Sequence, residues 1–413
     1  MALQLAVYGI LGDGVGSGAG SFPVLLRGLL ERGHRIDFYG NPSFIRPRSL
    51  EGLSGYRYVP LHLPAAESLW RASRRLGSPH IETMVSQLNH IAYQRLVVRT
   101  LEAEHRRRPY DVFLETDMQA LWPCSLPVIS WPQSPPQTEA RSLRDPDVAR
   151  FAVDAHGPSR YAAVQVYYAY RMLLAKAALR FSDRYICGSR WALEEWARFG
   201  ASRERLTSFS YPVPLEPFSA AGPPGTRGSV TFLWLGRATP RKRLDLFLAA
   251  FERVQRRHPN ARARLVGNLL GGAETRALVE RAATSPGVVV EPAVARSEVP
   301  ALLSEVDVLV QPSQNENFGF SIAEALAAGR PVVAGPTNGT LEYAGDAGFG
   351  FDEYRADSVA EAMRRALEAV TSDGPGLFRR ARAAAERHFS PPAVAARFEE
   401  LCREVIAEQG KTS

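Results

Sequence analysis

The sequence predicts an α/β protein of two doubly wound domains, each on a mostly parallel sheet, with ligands bound in the cleft between them. Three observations lead there. Short apolar runs alternate with longer helix-patterned stretches through both halves of the chain. The 413 residues leave room for two cores of ordinary size. Between the halves, Ser219-Ala220-Ala221-Gly222-Pro223-Pro224-Gly225-Thr226-Arg227-Gly228 has the composition of a linker. The expected organisation is therefore a domain over 1–218, a linker over 219–229, a domain over 230–390 and a terminal helix within 391–413.

In the first half, Leu3–Ile10 reads as a strand, followed by a glycine loop, a helix around Phe22–Arg32 stopped by Gly33, and a strand over Arg35–Tyr39. Pro79 to about Glu104 predicts a long amphipathic helix with Ile81, Val85, Leu88, Ala92 and Leu96 on its apolar face. Short buried strands follow at Val112–Leu114 and Pro127–Trp131, then a helix over Tyr161–Phe181 and a strand over Arg184–Cys187. The second half alternates strand Val230–Leu235, helix Leu244–Arg256, strand Ala263–Val266, helix Ala273–Thr284, strand Val288–Val290, helix Val299–Glu305 and strand Val306–Val310. A last helix covers about Pro392–Ala407.

Residues 311–335 carry the most chemistry. A polar loop leaves the Val306–Val310 strand and enters a helix that Gly329 stops, and Pro331–Ala334 is the next buried strand. Two carboxylates, Glu316 and Glu324, flank Phe318-Gly319-Phe320-Ser321. Glu316 is expected in the loop and Glu324 in the first helical turn, so both converge on the helix N-terminus. Unpaired backbone N–H groups and the positive dipole there favour an anion or a sugar's oxygens. Anion donors combined with carboxylate acceptors for hydroxyls suit a nucleotide sugar.

This segment resembles the motif of two glutamates eight positions apart in retaining family-4 glycosyltransferases (glycosyl transferases group 1). Its usual Glu-Gly-Phe-Gly stands here as Glu316-Asn317-Phe318-Gly319. The resemblance implies the GT-B fold, two Rossmann-like domains facing a cleft, the first on the acceptor side and the second binding a nucleotide diphosphate sugar. It also implies a last helix returning towards the first domain. Glu316 would orient the sugar, with backbone N–H groups at Phe318–Ser321 assisting, and Glu324 would hold the ribose. An Arg and a Lys five positions apart hold the diphosphate in the family, and Arg237 and Lys242 match after Gly236. Fixed cations there stabilise charge that builds on the leaving group. The plainer account, with Arg241 and Arg243 included, is an exposed basic helix start. Cations at a helix N-terminus oppose the dipole, however, and so are poorly placed for stability alone.

Smaller correspondences follow. Val288-Val289-Val290-Glu291-Pro292 resembles the strand and loop that read the nucleobase, with Val294 as a lining residue. Gly12-Asp13-Gly14-Val15-Gly16-Ser17-Gly18-Ala19-Gly20 matches the position of a glycine-rich loop facing the cleft, with Gly14 and Gly16 nearest the ligand. A dinucleotide site is the competing reading of that loop, but Phe38-Tyr39-Gly40-Asn41 stands where its ribose-binding acid belongs. Ser189, in Cys187-Gly188-Ser189, reads as an N-cap, and Glu342 as either a cleft-facing carboxylate or a helix-start one. One departure matters. The family's His near the reacting sugar is missing, because Pro132-Gln133-Ser134-Pro135-Pro136-Gln137 follows the Val128–Trp131 strand. Gln133 could hydrogen-bond an acceptor but not act as a base; His156 reads as an ordinary surface histidine. A retaining front-face mechanism can let the leaving phosphate take the acceptor's proton.

Composition narrows the alternatives. No apolar run reaches the ~20 residues of a membrane helix, and the N-terminus lacks the pattern of a secretory signal. Cys124, Cys187 and Cys402 are too scattered for a disulfide framework or zinc site and fit a reducing cytoplasm. Neither a metal nor a resident cofactor is expected, and no nucleic-acid motif is visible. Residues 1–220 hold 26 Lys+Arg against 20 Asp+Glu, while residues 221–413 hold 24 against 23. The basic first half would attract acidic lipid headgroups or an anionic acceptor, giving a cytoplasmic protein with peripheral membrane contact; a solvated basic surface accounts for the same charge. Rival functions are a nucleotide-sugar isomerase or hydrolase, a non-catalytic nucleotide-sugar-binding module and, more distantly, a dehydrogenase. Nucleobase, sugar and acceptor are not encoded in any motif.

Overall fold

Buried parallel strands read as near-continuous apolar runs because both faces are covered, and the computed structural model places such runs in two sheets. It describes residues 1–9, 17–41, 47–75, 79–116, 120–219, 221–225 and 228–410. Among them, the first sheet holds β1 (Gln4–Tyr8), β2 (Arg35–Gly40), β3 (Tyr56–Pro60), β4 (Val112–Glu115), β5 (Val128–Ser130), β6 (Arg184–Cys187) and β7 (Leu206–Ser208). Their spatial order is β3-β2-β1-β4-β5-β6-β7. The second sheet holds β8 (Thr231–Arg237), β9 (Arg262–Asn268), β10 (Val288–Glu291), β11 (Val308–Gln311), β12 (Val332–Ala334) and β13 (Gly348–Gly350), ordered β10-β9-β8-β11-β12-β13. Every pairing is parallel; Leu5 lies between Ile36 and Val112, and Leu233 between Arg264 and Leu309. Strand order reverses at β1/β4 and at β8/β11, and the carboxyl ends there are where such sheets bind ligands.

Helix limits follow local chemistry. The Ser17–Glu31 helix ends before Gly33, whose φ of 85° a side chain would resist. The Phe320–Ala327 helix begins after Gly319 and ends before Gly329 at φ 71°, where an added Cβ would also meet Phe378 at 2.2 Å. Glu324 is therefore the fifth residue of that helix, in its second turn and not its first.

The Pro79–His105 helix corrects the sequence reading of its face in part: Val85 is buried and Leu96 packs on the core, but the apolar stripe does not run through Leu88. Leu88 is 52% exposed, while Asn89, His90, Tyr93, Gln94, Val97 and Leu101 are buried; the Ile81 side chain lies outside those described. Three of the polar members bond to neighbouring elements. Asn89 Nδ2 donates to the Ala66 carbonyl at 3.0 Å, Tyr93 Oη donates to Glu67 at 3.1 Å, and Gln94 accepts from the Leu121 N–H. Hydrogen bonds to neighbouring elements let polar side chains share the inward face with buried Val85, Val97, Val98 and Leu101.

The sheets meet over an aromatic cluster. The Phe318 ring centre lies 5.2 Å from that of Tyr211, 4.9 Å from Phe320 and 5.6 Å from Phe389, and Trp131 lies 4.9 Å from Tyr211. The last helix, Pro391–Gln409, crosses to the first sheet's side, where Glu399 pairs with Arg32 at 2.7 Å and Glu408 with Arg184 at 2.6 Å.

Candidate functional site

The loop between β11 and the Phe320–Ala327 helix is pinned on both sides, and this aims Glu316. Its N–H donates to the Thr337 carbonyl and its carbonyl accepts from Gly339, each at 2.9 Å. Asn315, at φ 52°, donates its N–H to Thr337 Oγ1 at 2.8 Å. Opposite lies the turn Pro240–Lys242 that follows β8. The Trp234 indole donates to the Lys242 carbonyl at 3.3 Å, and the Gln314 N–H donates to the Arg241 carbonyl at 2.8 Å. The two loops are thus laced together. One carboxylate oxygen, Glu316 Oε2, accepts from Lys242 Nζ at 2.6 Å and from Arg241 Nη1 at 2.9 Å.

The electrostatics follow from that sharing. Burial alone would raise the Glu316 carboxyl, but Arg241 and Lys242 outweigh it and hold the group at about 2. Lys242 is pushed below the ordinary lysine value by burial and by its neighbours Arg241 and Arg237, with Glu316 opposing. Arg241 is raised, chiefly by Glu316. The account of an exposed basic helix start does not fit. The Lys242 side chain is 17% exposed, and Arg243 is buried at φ 49°, paired with Asp245 at 3.0 Å and with Asp147 of the first half at 3.1 Å.

Each remaining residue of the sequence reading has a definite place. Arg237 is exposed at the end of β8, and its side chain makes no hydrogen bond or ion pair among the described residues. Gly236, at φ 151°, has open space where a side chain would stand. The Gly319 N–H is not available to a ligand, since it donates to Thr340 Oγ1 at 2.7 Å. Among the described residues the N–H groups of Phe318, Phe320 and Ser321 have no partner. Ser321 Oγ donates to Gln311 at 3.0 Å. The rings of Phe318 and Phe320 are buried in the aromatic cluster, so their backbones are what they offer a polar ligand. Glu324 pairs with Arg296 at 2.9 Å, and burial, opposed by that arginine, raises its carboxyl. Val294 is partly buried beside the same segment. Gly14 and Gly16 lie outside the described residues.

A cavity of about 110 Å³ opens between the two halves, lined by Glu316, Asn317 and Arg241 on one side and by Gln133, Ser134 and Glu139 on the other. Gln133 takes part through its backbone, its carbonyl accepting from Asn317 Nδ2. Glu139 was not singled out from sequence. It stands in the first turn of the Pro136–Ser142 helix, where a dipole partner is ordinary. Its carboxylate makes no hydrogen bond among the described residues and its charge acts on Arg241. Arg296 and Arg241 were likewise missed as site residues; no spacing distinguishes Arg296, whereas Arg241 adjoins the recognised Lys242. Glu342 accepts the Arg190 N–H with both oxygens, at 3.0 and 2.9 Å, and so bridges the halves; Ser189 caps the Arg190–Phe199 helix, its Oγ accepting from Ala192 at 3.1 Å. Among the described residues no three His, Cys, Asp or Glu side chains are grouped to hold a metal ion.

Two parallel sheets thus face each other, with a carboxylate and two cations at a helix N-terminus between them. Residues 225–374 match the family described as "Glycosyl transferases group 1". The chain as a whole has the GT-B fold. It superposes on HepE of Anabaena, solved with UDP and glucose, with a TM-score of 0.61 at 16% identity over 97% of this chain and 99% of that one. It superposes on sucrose-phosphate synthase of Thermosynechococcus elongatus with a TM-score of 0.66 at 18% identity over 98% and 100%. A D-inositol 3-phosphate glycosyltransferase of Nocardioides sp. is 31% identical over 157 residues, 34% of each chain. The namesake from Streptomyces bingchenggensis is 28% identical over 228 residues, covering 50% of this chain and 49% of that relative. The chain thus spans about a third to a half of the length of these curated relatives.

Proposed function

We propose that this protein is a retaining, metal-independent glycosyltransferase that moves a hexose-type sugar from a nucleotide diphosphate sugar to an acceptor. The observation that carries this reading is Glu316 held by Lys242 and Arg241 beside the N–H groups of Phe318, Phe320 and Ser321, which have no partner among the described residues. On donor binding the diphosphate would take over the two cations, joined by the exposed Arg237, while Glu316 turns to the sugar's hydroxyls. As the anomeric carbon–oxygen bond breaks, both electrons go to the diphosphate, and the clustered cations stabilise that growing charge. The acceptor oxygen bonds to the anomeric carbon on the same face, and its proton passes to the departing phosphate oxygen. Glu324 would bind the ribose, exchanging its Arg296 partner for the hydroxyls. On the acceptor side, Glu139 is the carboxylate placed to orient an incoming hydroxyl where the family's histidine is absent. The HepE complexes with UDP and UDP-glucose support a nucleotide-sugar donor.

A thermal-shift screen of nucleoside diphosphates and their sugars tests the assignment. Stabilisation by at least one nucleotide sugar is expected. Lys242→Ala should abolish that shift, and Glu316→Ala should keep it while transfer is lost. Full activity in both variants would sink the reading.

A further inference from the structure

The Pro158–Ala178 helix has a face that the proposed reaction does not use. Val166 is 70% exposed, Tyr170 40% and Leu173 74%, and their spacing of four and three residues puts them on one side. Ala162, Ala163, Ala169 and Ala177 extend the same exposed stripe along a helix about 30 Å long. Exposed Arg160 stands at the start of the helix and exposed Lys176 near its end, exposed Arg180 follows it, and the helix has no acidic residue; Arg171 is turned away from the stripe, over the Tyr167 ring. Its opposite side packs on the Pro136–Ser142 helix, whose Glu139 lines the cavity: Tyr161 Oη donates to the Leu143 carbonyl, and half-buried Tyr168 lies close enough to Glu139 and Arg241 for both charges to act on its hydroxyl.

We propose that this face seats the protein on an anionic membrane surface, so that the cleft beyond the Pro136–Ser142 helix meets an acceptor carried by a lipid. Apolar side chains at the centre, cations at the ends and no acid is the pattern of an interfacial helix. A second copy fits worse, because pairing the stripes would bring Arg160, Lys176 and Arg180 of each against like charges. Among the described residues no helix is long and apolar enough to cross a membrane, so the contact would be at the interface. Only the lipid-acceptor clause rests on the glycosyltransferase reading; the docking does not.

The test is co-sedimentation of the full chain with vesicles of pure phosphatidylcholine and of equal parts phosphatidylcholine and phosphatidylglycerol. Binding to the anionic vesicles, weakened by salt, is expected, and Val166→Glu with Leu173→Glu should lower it roughly ten-fold or more. Both positions are exposed, so the double variant should keep the parent's melting temperature and its stabilisation by whichever nucleoside diphosphate stabilises the parent. Those two controls separate failure of this surface from failure of the donor site. No binding to either vesicle, equal binding to both, or undiminished binding of the double variant would overturn the proposal. A dimer in light scattering that the double variant abolishes, without vesicle binding, would assign the stripe to self-association instead.

Discussion

Glu316 shares one oxygen between Lys242 and Arg241, and this makes it the residue on which stability and function both turn. Its folded carboxyl sits at about 2 against an ordinary 4.5. A depressed acid stabilises the fold above its unfolded value and loses that contribution as pH falls through the folded one. Urea denaturation from pH 7 downwards should therefore show the parent losing its advantage over Glu316→Gln between about pH 4.5 and 2. The difference at pH 7 should be of order 3 kcal/mol, shared among the three coupled charges. A constant gap across that window would show the pairing to be unimportant. Glu324 behaves oppositely, since burial raises its carboxyl against the opposing pull of Arg296, and its charge is costly there. Glu324→Gln should leave the melting temperature unchanged or higher, yet weaken nucleoside diphosphate binding about ten-fold by calorimetry, in line with a lost charge-assisted hydrogen bond. Unchanged affinity would remove Glu324 from the ribose role.

At the scale of elements, what was legible is what depends on local pattern. Buried strands such as Val332–Ala334 declare themselves as apolar runs, and Gly33 and Gly329 mark helix ends because few other residues accept their φ. The illegible part depends on partners. Asn89, Tyr93 and Gln94 turn inward on Pro79–His105 because Ala66, Glu67 and Leu121 partner them, which no periodicity reveals. Arg241 and Arg296 join the site only because the fold brings Glu316 and Glu324 to them, 75 and 28 positions away. Phe318 belongs to the same class: read as a ligand contact, its ring is 5% exposed and packs on Tyr211, Phe320 and Phe389. Phe318→Ala should cost roughly 3–5 kcal/mol by cavity formation, and Phe318→Leu much less. A loss below 1 kcal/mol in chemical denaturation would mean that the cluster does not hold the loop.

Across the whole molecule the two halves meet in two chemically different ways. At the base, aromatic rings and the returning Pro391–Gln409 helix make a buried, apolar junction. At the rim, the contacts are polar and partly exposed. Arg243 pairs with Asp147 at 3.1 Å, Arg150 with Glu274 at 3.0 Å, and Asp154 accepts the Glu274 N–H at 2.8 Å. Exposed ion pairs contribute about 0–1 kcal/mol each, whereas burial of the aromatic base contributes several times that. The rim should therefore open while the base serves as the hinge, admitting the donor before the cations close on its diphosphate. Arg150→Ala combined with Asp154→Ala should keep the melting temperature within a few degrees. In small-angle scattering the same variant should show a larger radius of gyration, which saturating nucleoside diphosphate returns towards the parent value. Its KM for the donor should rise more than its kcat falls, because closure and not bond-breaking has been weakened. An unchanged radius with an unchanged KM would show that the rim contacts do not govern closure.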